Sequence, residues 1–306
     1  DIAICNILSV PTDAEGVKAM HEAATTKPEY ILNLTIDENG NVDNGEAAPV
    51  LVDNAGTTGT KTVTSDNAIS RKFVRFAGSG TDGASNSAAV RINNGAKKVT
   101  FENCVFDGNK TTGNGAAIIV FNSAELLVKG CTFTGNSAEG EYAPSADAKG
   151  GKAQGGAIHS YKIEGMVIDN ITCTGNTAFR GGAIDLYEMN FTTISNSKFE
   201  ENEATLGGGI AVVGDNCNFT NLTMSYNVGN DGEYDDGREF LDGQGGGIWV
   251  NGSNTRFENS TLDHNMATFG GGIMSLGDDG AFVNNTLTEN MAAMGGAIAV
   301  DSGDDN

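Results

Sequence analysis

The chain has 306 residues with 18 basic and 40 acidic side chains, a net charge of −22. That balance argues against nucleic acid, whose binders carry a basic footprint, and against docking on an anionic membrane surface; no apolar run approaches the roughly 18 residues of a membrane helix, so no membrane insertion is expected. Glycine at 43 and asparagine at 33, beside only 4 prolines, exclude collagen and proline-rich linkers and point to many tight turns that need positive φ.

In chain order, residues 1–88 read as a cap. Thr12–Thr26 forms an amphipathic helix with Thr12 or Asp13 as N-cap, Val17, Met20 and Ala24 on one face, and Pro28 as the stop. The strand-like runs Tyr30–Ile36, Val50–Val52 and Lys72–Phe76 read as irregular first coils. From 89 to 306 the chain repeats. A Gly-rich tetrapeptide ends at Ile118, Ile158, Ile184, Ile210, Ile248, Ile273 and Ile298, with Ile92 as an earlier member lacking the glycines. The unit is 25 or 26 residues, broken by insertions at 139–153 and 229–244. An apolar-x-x-Asn motif precedes each tetrapeptide and ends at Asn109, Asn136, Asn176, Asn202, Asn227, Asn265 and Asn290. Five residues before its apolar member stands another apolar ladder: Phe101, Val128, Ile168, Ile194, Phe219, Phe257 and Phe282. Two residues after that runs a second Asn series, Asn103, Asn170, Asn196, Asn221, Asn259 and Asn284, interrupted by Gly130.

Each apolar segment has strand length and period 2, and none has helical spacing. Repeats of this length stack as coils, pairing each strand with its equivalent about 4.8 Å away. The expected fold is all-β: a parallel β-helix (solenoid) of 25–26-residue coils with an N-terminal helical cap. Inward Ile and Phe stack as core, and buried Asn amides satisfy one another along a ladder.

The pairing of GGAI, found at 155–158, 181–184 and 295–298, with FxxN, found at 106–109, 133–136 and 199–202, resembles the repeats of chlamydial polymorphic outer membrane proteins and related β-helix surface proteins. The resemblance covers about residues 90–300 and implies that the parallel β-helix is right-handed and that the protein is a secreted or cell-surface passenger with an adhesive role.

Several residues stand out against this frame. One and three positions after the ladder isoleucines, the residues are taken to point outward. They include Phe121, His159, Tyr161, Asp185, Tyr187, Trp249 and Met274. An exposed apolar-aromatic row is a candidate interface or sugar platform, unless it packs beneath an insertion or the N-terminal segment. His159 beside Asp185, with Arg180 nearby, is the best catalytic constellation available, but such a pair on a solvated strand is usually only a surface contact. The Asp-Asp and Gly-His-Gly signatures of β-helical polysaccharide hydrolases are absent, so no enzyme is expected. The insertions leave the same corner, each carries Gly-Glu-Tyr with Tyr142 or Tyr234, and together they are placed to wall a groove over Tyr161 and Tyr187. Asp231, Glu233, Asp235 and Asp236 are a weak calcium candidate without EF-hand spacing; solvated charge is the plainer reading, and no cofactor is called for. Cys104, Cys131, Cys173 and Cys217 fall at core positions and read as small buried hydrophobes. Among the glycosylation sequons, Asn33, Asn190, Asn218 and Asn251 are expected at the surface, and Asn109, Asn170, Asn221, Asn259 and Asn284 hidden in ladders. The expected function is a non-enzymatic adhesin or extracellular filament subunit. Self-association would run through an open C-terminal coil or the aromatic face, and a glycan or host surface is the other partner. A polysaccharide-binding or -degrading β-helix is the alternative.

Overall fold

The computed structural model describes residues 35–36, 42–43, 68–72, 75–77, 88–92, 98–121, 125–142, 151–163, 165–231 and 242–301. The helix over 12–26, Cys5, Asn33, Glu233, Tyr234, Asp235 and Asp236 lie outside the described residues. Among the described residues every regular element is a strand.

The strands assemble into three eight-stranded parallel sheets and a shorter five-stranded one. The first long sheet runs from Ala68–Lys72 through Glu125–Lys129 to Ala281–Val283. The second runs from Arg75–Ala77 through Thr132–Thr134 to Thr286–Thr288. The third runs from Val90–Ile92 through Ile158–Tyr161 to Ile298–Asp301. Short strands Lys110–Thr111, Ser137–Ala138, Thr177–Ala178, Glu203–Ala204 and Val228–Gly229 make the fourth. Each coil contributes one strand to each long sheet and closes on the next in the right-handed sense, giving a right-handed parallel β-helix. Eight strands per long sheet span about 34 Å of axis at ~4.8 Å per coil. The stacking already includes Ala68–Lys72 and Arg75–Ala77, upstream of the first recognisable repeat.

The ladders have the register that the repeat spacing predicts. Ile118, Ile158, Ile184, Ile210, Ile248, Ile273 and Ile298 are successive partners. Ile298, on the last described strand, is half-buried; the other six are buried. The run from Phe101 to Phe282 is likewise continuous. Phe106 and Phe133 stack face to face with centroids 4.8 Å apart, one coil spacing. Ile92 is the exception. It pairs with Val120, while Val90 pairs with Ile118. Ala88-Ala89-Val90 therefore occupies the place of Ala116-Ala117-Ile118, and the first interval is 28 residues rather than 26. Without glycines to mark the turn, counting back by one period lands on the wrong isoleucine.

The two Asn series do different work. Asn103, Asn170, Asn196, Asn221, Asn259 and Asn284 adopt φ of 51–54° themselves and sit exposed at the bend between the first two sheets. The inner series follows a left-handed residue, such as Gly135 or Gly175, which turns the next side chain into the core. Asn136 Nδ2 donates to Asn176 Oδ1 at 2.9 Å and to the Phe106 carbonyl at 3.1 Å, and its Oδ1 accepts from Nδ2 and the backbone N–H of Asn109. The same pattern carries on through Asn202, Asn227 and Asn265 to Asn290. Every polar atom of these buried amides is used, which is what permits them in a core.

Candidate functional site

The row one position after each ladder isoleucine does not face solvent. Ile119, His159, Asp185, Ala211, Trp249 and Met274 are all buried. The chain doubles back over them. Four residues before each isoleucine lies a bridge residue, Gln154, Arg180, Leu206, Gln244, Phe269 or Met294, and these bridge in parallel from coil to coil. The intervening first glycine makes this possible: at Gly155, Gly181 and Gly207 φ is 64–70°, and a Cβ would press into the carbonyl of the isoleucine three residues on. The bridge residues thus roof the outer side of the third sheet. Toward the C-terminal coils the roof is apolar, with Leu206, Ala211, Trp249 and Met274 packed as a second cluster beside Phe269 and Ala299. The single indole donates to Gln244 Oε1 at 2.9 Å. The expectation of a solvated row is corrected here. The signal was present in the unbroken apolar runs Ile118–Val120, Ile210–Val212 and Ile248–Val250, which denote burial on both faces rather than one.

In the coils of Ile158 and Ile184 the roof is charged. Asp185 is fully buried and His159 is 3% exposed. His159 Nδ1 and Asp185 Oδ2 lie 2.7 Å apart. Arg180 Nε donates to Asp185 Oδ1 at 2.5 Å and its terminal nitrogen to Oδ2 at 3.1 Å, a two-pronged grip. The same guanidinium reaches Gln154 Oε1 at 2.7 Å. Burial pushes the Asp185 carboxyl up, but the Arg180 charge and the His159 hydrogen bond outweigh it and hold the group below the usual carboxylate range. The pair is therefore a clamped internal charge network, not a solvated surface contact.

Two positions further on, Phe121, Tyr161 and Tyr187 are half-buried and form a stack at the edge of the roof. Tyr161 and Tyr187 lie 5.8 Å apart, Phe121 meets Tyr161 edge-on at 6.2 Å, and Arg180 covers the Tyr187 ring at 4.6 Å. Lys162 lies 4.8 Å over Tyr161. These rings are held by neighbours in the same rod.

The insertions meet elsewhere. The neck of the first is a small hairpin pairing Glu141–Tyr142 with Gly151–Lys152, which places Tyr142 in a strand. The neck of the second is tied by Asp231, whose Oδ1 accepts from the Gly243 N–H at 2.9 Å and from Thr268 Oγ1 at 2.8 Å. Asp231, the only described member of the calcium candidate, thus has a local structural task. Among the described residues no group of three or more His, Cys, Asp or Glu side chains converges as a metal site. Between the necks lies a groove of about 700 Å³, floored by Ala178, Phe179 and Ala204. It runs over the short fourth sheet and not over Tyr161 and Tyr187. Period arithmetic identified the corner from which both insertions leave, but not which sheet lies beneath it.

Cys104, Cys131, Cys173 and Cys217 are buried free thiols. Burial pushes Cys131 and Cys173 well up and Cys217 to about 11, so all three stay protonated at neutral pH. Of the sequon asparagines, Asn190 and Asn251 are exposed and Asn218 is half-buried. Asn170, Asn221, Asn259 and Asn284 are exposed too, contrary to expectation, because they belong to the outer bends; Asn109 alone of that group is buried.

The fold and its ladders define the class: a parallel β-helix built from Gly-rich and Asn-terminated coils. The repeat of the Chlamydia polymorphic membrane proteins matches residues 130–161. That stretch runs from the Gly130 bend through Phe133–Asn136, the first insertion and Gly155–Ile158 to Tyr161, most of one coil. The chain is thus a β-helix that carries this repeat and resembles that family in its stacked parallel sheets. No curated protein and no solved structure matches the chain.

Proposed function

We propose that the protein is a secreted or cell-surface β-helix that acts without catalysis, as an adhesin presented on a rigid rod. The observation that carries this reading is the polymorphic membrane protein repeat lying within a solenoid that carries two insertions at one corner. A rod of stacked coils is a scaffold, and departures from its period are where recognition is added. The net charge of −22 keeps such a rod soluble and away from nucleic acid. The strongest catalytic candidate supports the same reading, because the Asp185 carboxylate is saturated by Arg180 and His159. The reading needs no metal or cofactor. Its partner is a molecule on a cell surface, protein or glycan.

The test is adhesion. Fluorescent beads coated with the protein are expected to bind cultured epithelial cells above albumin-coated beads. Beads carrying a variant that lacks 144–149 and 232–241 are expected to lose most of that binding while retaining the β-sheet circular dichroism of the parent. Binding no better than albumin, or binding indifferent to both insertions, would sink the proposal.

A further inference from the structure

We propose that the groove between the insertion necks is a docking site for a basic peptide segment of a partner protein. This deepens the adhesin reading by naming the chemistry of its partner. Glu139 stands on one wall, Asp231 on the other, and Glu203 rises between them beside the apolar floor of Ala178 and Ala204. Neutral donors hold all three carboxylates. Ser137 and Thr177 donate to Glu139 Oε1, Asn230 donates to Glu203 Oε1, and Gly243 and Thr268 donate to Asp231 Oδ1. Such donors fix the orientation of the carboxylates without neutralising their charge.

Elsewhere on the rod, four carboxylates find a lysine or arginine within the chain: Asp169 with Lys129, Glu188 with Lys162, Glu200 with Lys198 and Glu258 with Arg256. The three in the groove have none among the described residues, and no lysine or arginine belongs to the described lining. The missing charge is therefore positive.

The shape selects among cations. The walls belong to coils three spacings apart, about 14 Å, which admits one extended chain. The floor is alanine rather than polar, so it suits the aliphatic stems of lysine or arginine whose charged ends reach the carboxylates. A small inorganic cation would have no use for that floor.

The test uses the full chain and a fluorescent octapeptide alternating lysine and alanine, followed by anisotropy. Saturable binding that weakens as salt rises is expected. The double substitution Glu139→Gln with Glu203→Gln is expected to weaken binding at least tenfold. Glu200→Gln with Glu258→Gln, an equal change in net charge outside the groove, is expected to change it less than twofold. Equal losses from both pairs would show only the general field of an acidic rod and overturn the proposal, as would no binding by the parent. A tenfold gain on removing 232–241 would show that the protein's own insertion fills the groove, and would overturn it too. Thermal melts establish that each variant folds. The peptide assay stands apart from the cell assay: groove binding without adhesion overturns the adhesin reading alone, and adhesion without groove binding overturns this inference alone.

Discussion

Asn176 shows how much a single side chain contributes in this fold. It accepts from Asn136 twice and donates to Asn202 and to the Phe133 carbonyl. Asn176→Ala strands buried donors and acceptors in two neighbouring coils, at about 1–3 kcal/mol for each group left unpaired. Asn196 also bonds to its neighbours, but at an exposed bend where water replaces lost partners. Asn196→Ala then costs about 1–2 kcal/mol, mainly for a side chain forced to positive φ. Urea denaturation should show Asn176→Ala losing at least twice as much as Asn196→Ala; equal losses would mean that the inner ladder is ornamental. The sequence revealed both Asn series but not which was buried, because asparagine suits left-handed bends and amide ladders alike. The clue lies one residue earlier. Gly108, Gly135 and Gly175 announce the left-handed turn before the first inner members, but Glu201, Tyr226, His264 and Glu289 fill that place later, where residue type is silent.

At the level of the element, the decisive feature is the turn that folds each bridge residue over the third sheet. Gly182, in that turn, and Gly175, at the bend before Asn176, separate the demand for close approach from the demand for positive φ. Gly175 has φ of 62° and open space around its missing Cβ, so Gly175→Ala costs only the left-handed strain, about 1–2 kcal/mol. At Gly182 a Cβ would press into the carbonyls of Gly208 and Glu203, backbone that cannot yield without separating coils. Gly182→Ala is expected to lower the melting temperature well beyond Gly175→Ala; a smaller effect at Gly182 would mean that the coils are not in tight register there.

The charged part of the roof adds a pH dependence. The folded-state pKa of Asp185 is depressed. Its stabilising contribution is therefore complete above the unfolded value of about 3.9 and is lost as pH falls through the folded value. Asp185→Asn should remove that acid-labile share and cost about 3–5 kcal/mol at neutral pH by leaving the largely buried Arg180 guanidinium without its counter-charge. Urea midpoints measured from pH 7 to pH 3 should fall less steeply for the variant than for the parent. This element was the least legible part of the sequence. Alternation assigned one inward and one outward face to each strand, whereas the third sheet is covered on both, by residues of the preceding turn that carry no common motif.

For the whole molecule, the sequence displayed the solenoid through its period, because stacking demands that equivalent residues recur at equal intervals. It left the groove hidden, since insertions interrupt that interval and the surface between them follows from three-dimensional register. The necks keep these additions independent of the rod. Removal of 232–241, with Asp231 and Gly243 retained, should leave the melting temperature unchanged, because loop-closure entropy varies slowly with length. Asp231→Ala in the full chain should lower it measurably, and a shortened variant that fails to fold would show that the insertion is part of the core. The inner asparagines carry one more implication. From Asn109 to Asn265 each Nδ2 donates one N–H to the Oδ1 of the following coil. One amide cannot flip alone without setting oxygen against oxygen on one side and nitrogen against nitrogen on the other, so the row has a single sense and its dipoles add. The rod is consequently an electrical arrow, oxygen-ended toward its N-terminal coils and N–H-ended toward its C-terminal coils. Any coil that extends it must arrive in the same orientation.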